Sequence, residues 1–344
     1  MLPTIIPHAL TRTPHGPQLT PLTLPPTPPG RALLRIQLAG LCRTDVEAAL
    51  GGIPCDHGRV LGHEAVGVVE EVGEGVRPEW VGARVGLLPL RPCEACPACL
   101  AAPAPHARDL SPLDPHLPAL TGAALARVAA CDAPRHVGVD EDGAFATHAH
   151  APTGALYPLP AGLSLARAAY VEPVAAALAP AALLRDEGWR EEVWVWGQGR
   201  VAALTRRCLA ARGFEVRACP PEGDAPAPRG LPCVVETEAR REGLEGPARA
   251  LRPGGLLVLK SRLLAPEGLP LGLVVRRGLR LLSAHYAPFG EAVALLSDPR
   301  FEVEDLFGER YPLSSFARAF EEGEGRKVFF EPSLAPVAPR GERA

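Results

Sequence analysis

Lysine is nearly missing from this chain: of its 36 basic residues only Lys260 and Lys327 are lysines, and the rest are arginine. The formal net charge is only −3 and no dense basic cluster occurs, so neither a nucleic-acid face nor a polybasic membrane patch is indicated. No apolar run approaches the roughly 18 residues needed to span a bilayer. The N-terminal stretch MLPTIIPHALTRTPHGPQL is broken by prolines and has no basic-then-apolar leader, so a soluble cytoplasmic protein is expected. An even cysteine count is missing too. There are nine, three of them crowded into one short loop, which favours metal ligation over disulfides. The Arg, Pro, Ala and Leu bias is in keeping with a GC-rich genome and a hot habitat, and says nothing about chemistry.

What is present is a chain of 344 residues, longer than one hydrophobic core usually supports, so two domains and a small-molecule ligand are expected. The first third reads as β-rich, with LLRIQLAG (33 to 40) and AVGVVEEV (65 to 72) rich in branched apolar residues and flanked by Gly or Pro. From about residue 163 the pattern turns helical, then VWVWGQG reads as a strand ending in glycines and RVAALTRRCLAARG as a helix closed by Gly213. Further strands are expected at 215 to 219, 231 to 237, 254 to 260 and 278 to 285, which together predict a parallel sheet. Prolines 220, 221, 226, 228 and 232 exclude a helix between the first and second of these strands. A parallel crossover normally needs one, so a strand of the usual sheet has been trimmed away.

Three groups of residues carry chemistry. Cys42, His63 and Glu64, in LAGLCRTDVEAAL and GRVLGHEAVGVVEEVG, supply a thiolate, an imidazole and a carboxylate, a donor set that suits zinc. Cys93, Cys96 and Cys99 in RPCEACPACL stand at three-residue intervals, like the opening of a second metal site. GQGRVA places Gly197, Gly199, Val201 and Ala202 between a predicted strand and a predicted helix. That context fits a dinucleotide turn, in which Gly199 admits a pyrophosphate at the helix N-terminus and Ala202 allows close packing.

These motifs, in this order and over nearly the whole chain, resemble the zinc-dependent medium-chain dehydrogenase/reductases, the superfamily of alcohol, polyol, threonine and glucose dehydrogenases. VLKS and the later APF resemble an uncharacterised zinc-dependent subgroup. The resemblance implies an α/β protein: a GroES-like β-rich catalytic domain over 1–153, completed by 286–344, around a shortened Rossmann doubly wound parallel-sheet domain over 154–285. It further implies that Cys42 and His63 hold a catalytic zinc, with Glu64 a ligand in several branches and Glu172 of VEPVAAAL at or beside the metal. Thr44 would pass the substrate proton towards solvent, Glu47 would be the next relay position, and Arg43 would reach the cofactor pyrophosphate. Lys260, at the end of a sheet strand, either pairs with a cofactor phosphate or caps the strand.

The second zinc of the resembled family is structural and uses C-x2-C-x2-C-x7-C, but the eighth position after Cys99 is Ala107. His106 is one residue off. Cys131, seven residues before Gly138 of GVDEDGAFATH, stands where the last cysteine of the family stands if some 24 residues are inserted within the loop. Three readings stay open: Cys131 as fourth ligand, His106 as fourth ligand, or an empty loop of thiols. The acid expected to bind the adenosine ribose is missing, its position falling on Cys219 or Pro220, while Arg217 and Arg229 are candidates to meet a 2′-phosphate. The cofactor is therefore NAD or NADP. The function implied is hydride transfer between this nicotinamide and an alcohol, polyol or sugar hydroxyl, in a homodimer or homotetramer. A non-catalytic zinc-binding relative is the alternative, and a zinc-free quinone reductase is disfavoured by the Cys42, His63, Glu64 set.

Overall fold

The computed structural model describes residues 8–102, 109–113, 117–219, 228–238, 243–261, 270–323 and 325–335. His106 and Pro220 lie outside the described residues. The chain divides into two compact units, Met1–Glu172 with Pro288–Ala344, and Pro173–Ala287.

The first unit is organised by a seven-stranded sheet whose longest strand, Arg31–Gly40, pairs antiparallel with Glu64–Val72, His148–Pro152 and Lys327–Phe330. Ala32, Leu34, Ile36 and Leu38 recur at every second position and are buried, the period a half-buried strand requires. The strand stops at Gly40, opposite both Glu64 and Phe329, and this crowded end forms the floor of the first metal-ligand group. A Cβ at Gly40 would stand 2.5 Å from Glu64 Oε2 and 2.6 Å from Lys327 Cε, so any side chain there would have to push the ends of these two buried groups aside. Phe145 and Phe330 pack edge to face beneath it, 4.8 Å between ring centroids. Arg167 fixes the returning C-terminal segment. Its guanidinium donates to the carbonyls of Leu296 (2.7 Å) and Phe301 (2.9 Å) and pairs with Glu304, whose carboxyl is held down at about 2 chiefly by that hydrogen bond.

The stretch between Cys99 and Cys131 contains a helix, Leu117–Ala130, which packs on Phe289–Ser297 and on the strands Leu90–Arg91 and Leu156–Pro158. Its flanks are tied down: Trp80 Nε1 donates to the Leu110 carbonyl at 3.0 Å and Arg127 Nε to the Ala102 carbonyl.

The second unit is a five-stranded sheet in the spatial order Val216–Cys219, Val193–Trp196, Leu231–Glu236, Leu251–Leu259, Arg280–Ser283, every neighbour parallel. This is a doubly wound sheet in which, among the described residues, no strand lies outside Val216–Cys219. Cys233, Val234 and Val235 are wholly buried, which is why Leu231–Glu236 reads as an unbroken apolar run rather than an alternating one. Chain order reverses between Val193–Trp196 and Leu231–Glu236, and the glycine turn follows the first of these strands. Among the described residues no helix is long and apolar enough to cross a membrane.

Candidate metal centres and cofactor turn

The backbone turns from the end of Arg31–Gly40 into the helix Arg43–Leu50, with Cys42 as its N-cap residue. Asp45, the third residue of that helix, accepts the Cys42 amide at 2.8 Å through Oδ2 and His63 Nδ1–H at 2.9 Å through Oδ1. One wholly buried carboxylate therefore sets the helix start and the imidazole together, and leaves His63 Nε2 as the nitrogen available to a metal. Burial pushes the His63 imidazole down, but the adjacent Asp45 carboxylate more than offsets this and holds its pKa well above the ordinary histidine value. The His136 ring lies edge-on to His63, 4.7 Å between centroids.

Cys42, His63 and Glu64 each offer one ligand atom, and these lie within 4.8 Å of one another. Soft sulfur, imidazole nitrogen and carboxylate oxygen within that radius fit zinc. Glu64 is also paired with Lys327, both side chains being at most 3% exposed. Glu172, buried at the start of the Val171–Asp186 helix, is not one of the three.

Thr44 Oγ1 lies 3.9 Å from Cys42 Sγ. Glu47 and Arg43 form an i,i+4 ion pair at 3.1 Å on the more open face of the same helix. Asp45 is the residue that sequence reasoning passed over. It stands inside the same short motif as Cys42 and Thr44, and its three-residue spacing from Cys42 is the capping signature that could have found it. Asp45→Asn keeps the shape but sets an amide donor against one of two N–H groups. Zinc held at Cys42 and His63 is then expected to bind about 10–100-fold more weakly. Chelator competition measures this, and an unchanged affinity would remove Asp45 from the site.

The second group is Cys93, Cys96, Cys99 and Cys131. Cys93 and Cys99 Sγ are 4.0 Å apart, as are Cys96 and Cys131 Sγ, close to the edge of about 3.8 Å implied by a tetrahedron with Zn–S of about 2.3 Å. Glu94 takes a left-handed φ of 59°, which turns the amides of Ala95 (3.5 Å) and Cys96 (3.3 Å) onto Cys93 Sγ. Those two amides pull the Cys93 thiol down to about 6. Cys96 is lowered by the Asp132 and Cys99 amides, whereas burial pushes Cys99 up to about 12. Closing the pocket on a metal therefore has to draw a proton from Cys99. Cys93 N–H donates to Cys131 Sγ at 3.2 Å, which seats Cys131 beside the three-cysteine loop.

In the second unit, Gly197 has φ 125°, and a Cβ there would fall 2.6 Å from Thr237 Oγ1. A Cβ at Gly199 would meet nothing within 4 Å, so the backbone is open to a ligand on that side. Gly199 caps the Arg200–Ala211 helix without any side-chain hydrogen bond. Ala202 is buried and Val201 half-exposed. These features fit a phosphate group at the turn. One feature opposes it: Gln198 N–H donates to Glu238 Oε2 at 3.2 Å. At the Val216–Cys219 edge, Cys219 is wholly buried and its thiol is raised to about 11 by burial. Arg217 is engaged by Glu192 (3.1 Å) and Glu215 (2.8 Å), and Arg229 is exposed. Lys260 Nζ donates to the His285 carbonyl at 3.2 Å and lies 5.7 Å from the Tyr286 ring centroid.

Residues 28–161 match the alcohol dehydrogenase GroES-like domain family. An alcohol dehydrogenase of Geobacillus stearothermophilus is 26% identical over 286 residues, 74% of this chain and 77% of that protein. Among solved structures, a protein of Sinorhizobium meliloti described as a zinc-binding dehydrogenase and bound to NADP superposes with a TM-score of 0.77 at 22% identity, covering 95% of this chain and 99% of that one. Galactitol-1-phosphate dehydrogenase of Escherichia coli superposes with a TM-score of 0.76 at 20% identity, covering 94% and 100%. At these identities the structural likenesses establish the fold.

Proposed function

Because the chain belongs to the zinc-dependent medium-chain dehydrogenase/reductase superfamily, we propose that it is an oxidoreductase moving hydride between the hydroxyl of an alcohol, polyol or sugar and a nicotinamide cofactor, NAD or NADP. The observation that carries this reading is the buried Asp45 carboxylate, which orients His63 beside Cys42 and Glu64. Cys42 and His63 would hold zinc, with Glu64 or Glu172 as the acidic partner. Zinc there supplies Lewis acidity towards a substrate oxygen, and the nicotinamide supplies the hydride acceptor.

Thr44 would take the substrate proton, and Glu47, in its ion pair with Arg43, lies further along the same helix on the way to solvent. The glycine turn at Gly197–Ala202 would hold the pyrophosphate, with Arg43 and Lys260 as further contacts. Cys93, Cys96, Cys99 and Cys131 would hold a structural zinc, since four protein ligands leave no open position. The assignment of 1–153 with 286–344 as catalytic domain and 154–285 as dinucleotide-binding domain belongs to the same proposal, as do the homo-oligomer and the cytoplasm.

The test is a titration of zinc-loaded protein with NADH and NADPH, followed by nucleotide fluorescence, with metal counted in the same sample and a panel of alcohols, polyols and sugars assayed with the nucleotide that binds. One zinc for each of the two donor groups and saturable nucleotide binding are expected. Zinc retention without binding of either nucleotide favours the second reading, a non-catalytic relative. The Glu238 carboxylate on the glycine turn is the observation that favours it.

A further inference from the structure

We propose that Glu238 is an internal occupant of the phosphate turn and sets how tightly the second unit can take a dinucleotide. The inference rests on the nicotinamide reading above for its biological meaning and on the turn itself for its chemistry.

In doubly wound sheets ligands bind outside the carboxyl ends of the strands, where chain order reverses. In this sheet that place lies between Val193–Trp196 and Leu231–Glu236. Both strands run straight into it. The first continues as Gly197, Gln198 and Gly199, the second as Thr237 and Glu238. Thr237 is fixed there, its hydroxyl donating to the Trp196 carbonyl at 2.7 Å and its amide to the same carbonyl at 3.0 Å. With Thr237 held, Glu238 has little choice of position. Its Cβ would stand 3.2 Å, and its Oε2 3.3 Å, from a Cβ placed on Gly197. Oε2 accepts the Gln198 amide, one of the backbone donors that such a turn offers to a phosphate oxygen.

Glu236, wholly buried at the end of its strand, is engaged elsewhere, the Ser261 hydroxyl being within 2.7 and 2.8 Å of its two oxygens. The negative charge at the turn is that of Glu238. A pyrophosphate arriving at Gly199, where the approach is open, must displace the Glu238 carboxylate from the Gln198 amide or share the amides with a like charge close by. Either event weakens the binding of every ligand that carries a diphosphate, whichever base or ribose it bears. Glu238 thus acts on affinity for both NAD and NADP and leaves the choice between them to other residues.

Glu238 is exposed, so its substitution leaves the core untouched. Glu238→Gln removes the charge and keeps the shape; Glu238→Ala removes both. The full-length zinc-loaded protein and each variant are titrated with NADH, NADPH and inorganic pyrophosphate by calorimetry, with Tm recorded to verify that the fold is kept. The expected result is a Kd about tenfold or more lower in both variants for all three probes. Unchanged or weaker binding of all three overturns the proposal, as does tightening confined to one nucleotide. If pyrophosphate binds the variants more tightly while neither nucleotide binds any of the proteins, the role of Glu238 stands and the nicotinamide reading falls. If no probe binds any protein, removing the carboxylate has not opened the turn and the proposal is overturned.

Discussion

Replacing Lys327 by methionine is expected to destabilise the first unit by about 3–5 kcal/mol, the usual consequence of stripping one partner from a buried ion pair. Lys327 and Glu64 are each at most 3% exposed, so neither charge can turn to water when the other is lost. Gly40 closes the remaining side, because its missing side chain is what lets the two groups meet. At about 2–4 °C per kcal/mol for a domain of this size, Tm falls by roughly 10 °C. The diagnostic measurement is the double variant. Lys327→Met combined with Glu64→Gln removes both charges of the pair and is expected to recover most of the loss, because a buried pair replaced as a whole is often close to neutral. Additive losses would mean that the two side chains act independently. The wild type, the two single variants and the double variant, loaded with zinc, report on the site: freed of Lys327, Glu64 is expected to bind metal more tightly, which chelator competition reads directly.

The second large effect is expected at Cys131. Cys131→Ser leaves Cys93, Cys96 and Cys99 in place but removes a sulfur that sits 4.0 Å from Cys96 Sγ and accepts the Cys93 amide. A hydroxyl is a poor substitute for a thiolate on zinc, so one metal per chain is expected to be lost at chelator concentrations that leave the Cys42 and His63 position filled. Two structural consequences follow. The Cys93 amide loses its sulfur acceptor, and the Leu117–Ala130 helix is released at its C-terminal end. Faster proteolysis between Cys99 and Cys131 is the measurement. Metal content equal to the wild type would assign the fourth position to another residue and remove Cys131 from the centre.

Much of this architecture is legible in the sequence because its signals are local. The apolar runs at 33 to 40 and 231 to 237 announce strands through composition alone, and GQGRVA announces a turn through two glycines. Metal-binding cysteines advertise themselves by spacing. What could not be read is set by pairing over long distances. Lys327 meets Glu64 only because Lys327–Phe330 lies against Arg31–Gly40, and no periodicity in either stretch specifies that register. Glu238 reaches the glycine turn only because two strands far apart in the chain are neighbours in the sheet. The helix Leu117–Ala130 was hidden by its surroundings, a proline-rich stretch that reads as an irregular loop. Asp45 was in plain view, but its task belongs to His63, eighteen residues on.

The inserted stretch has a practical corollary. It is clamped at Ala102 by Arg127 and at Leu110 by Trp80, and it lies between Cys99 and Cys131. Because closure entropy grows only slowly with length, foreign peptide carried between those two clamps adds little strain to the host. The same clamps would present such a graft as a tethered epitope on the β-rich unit.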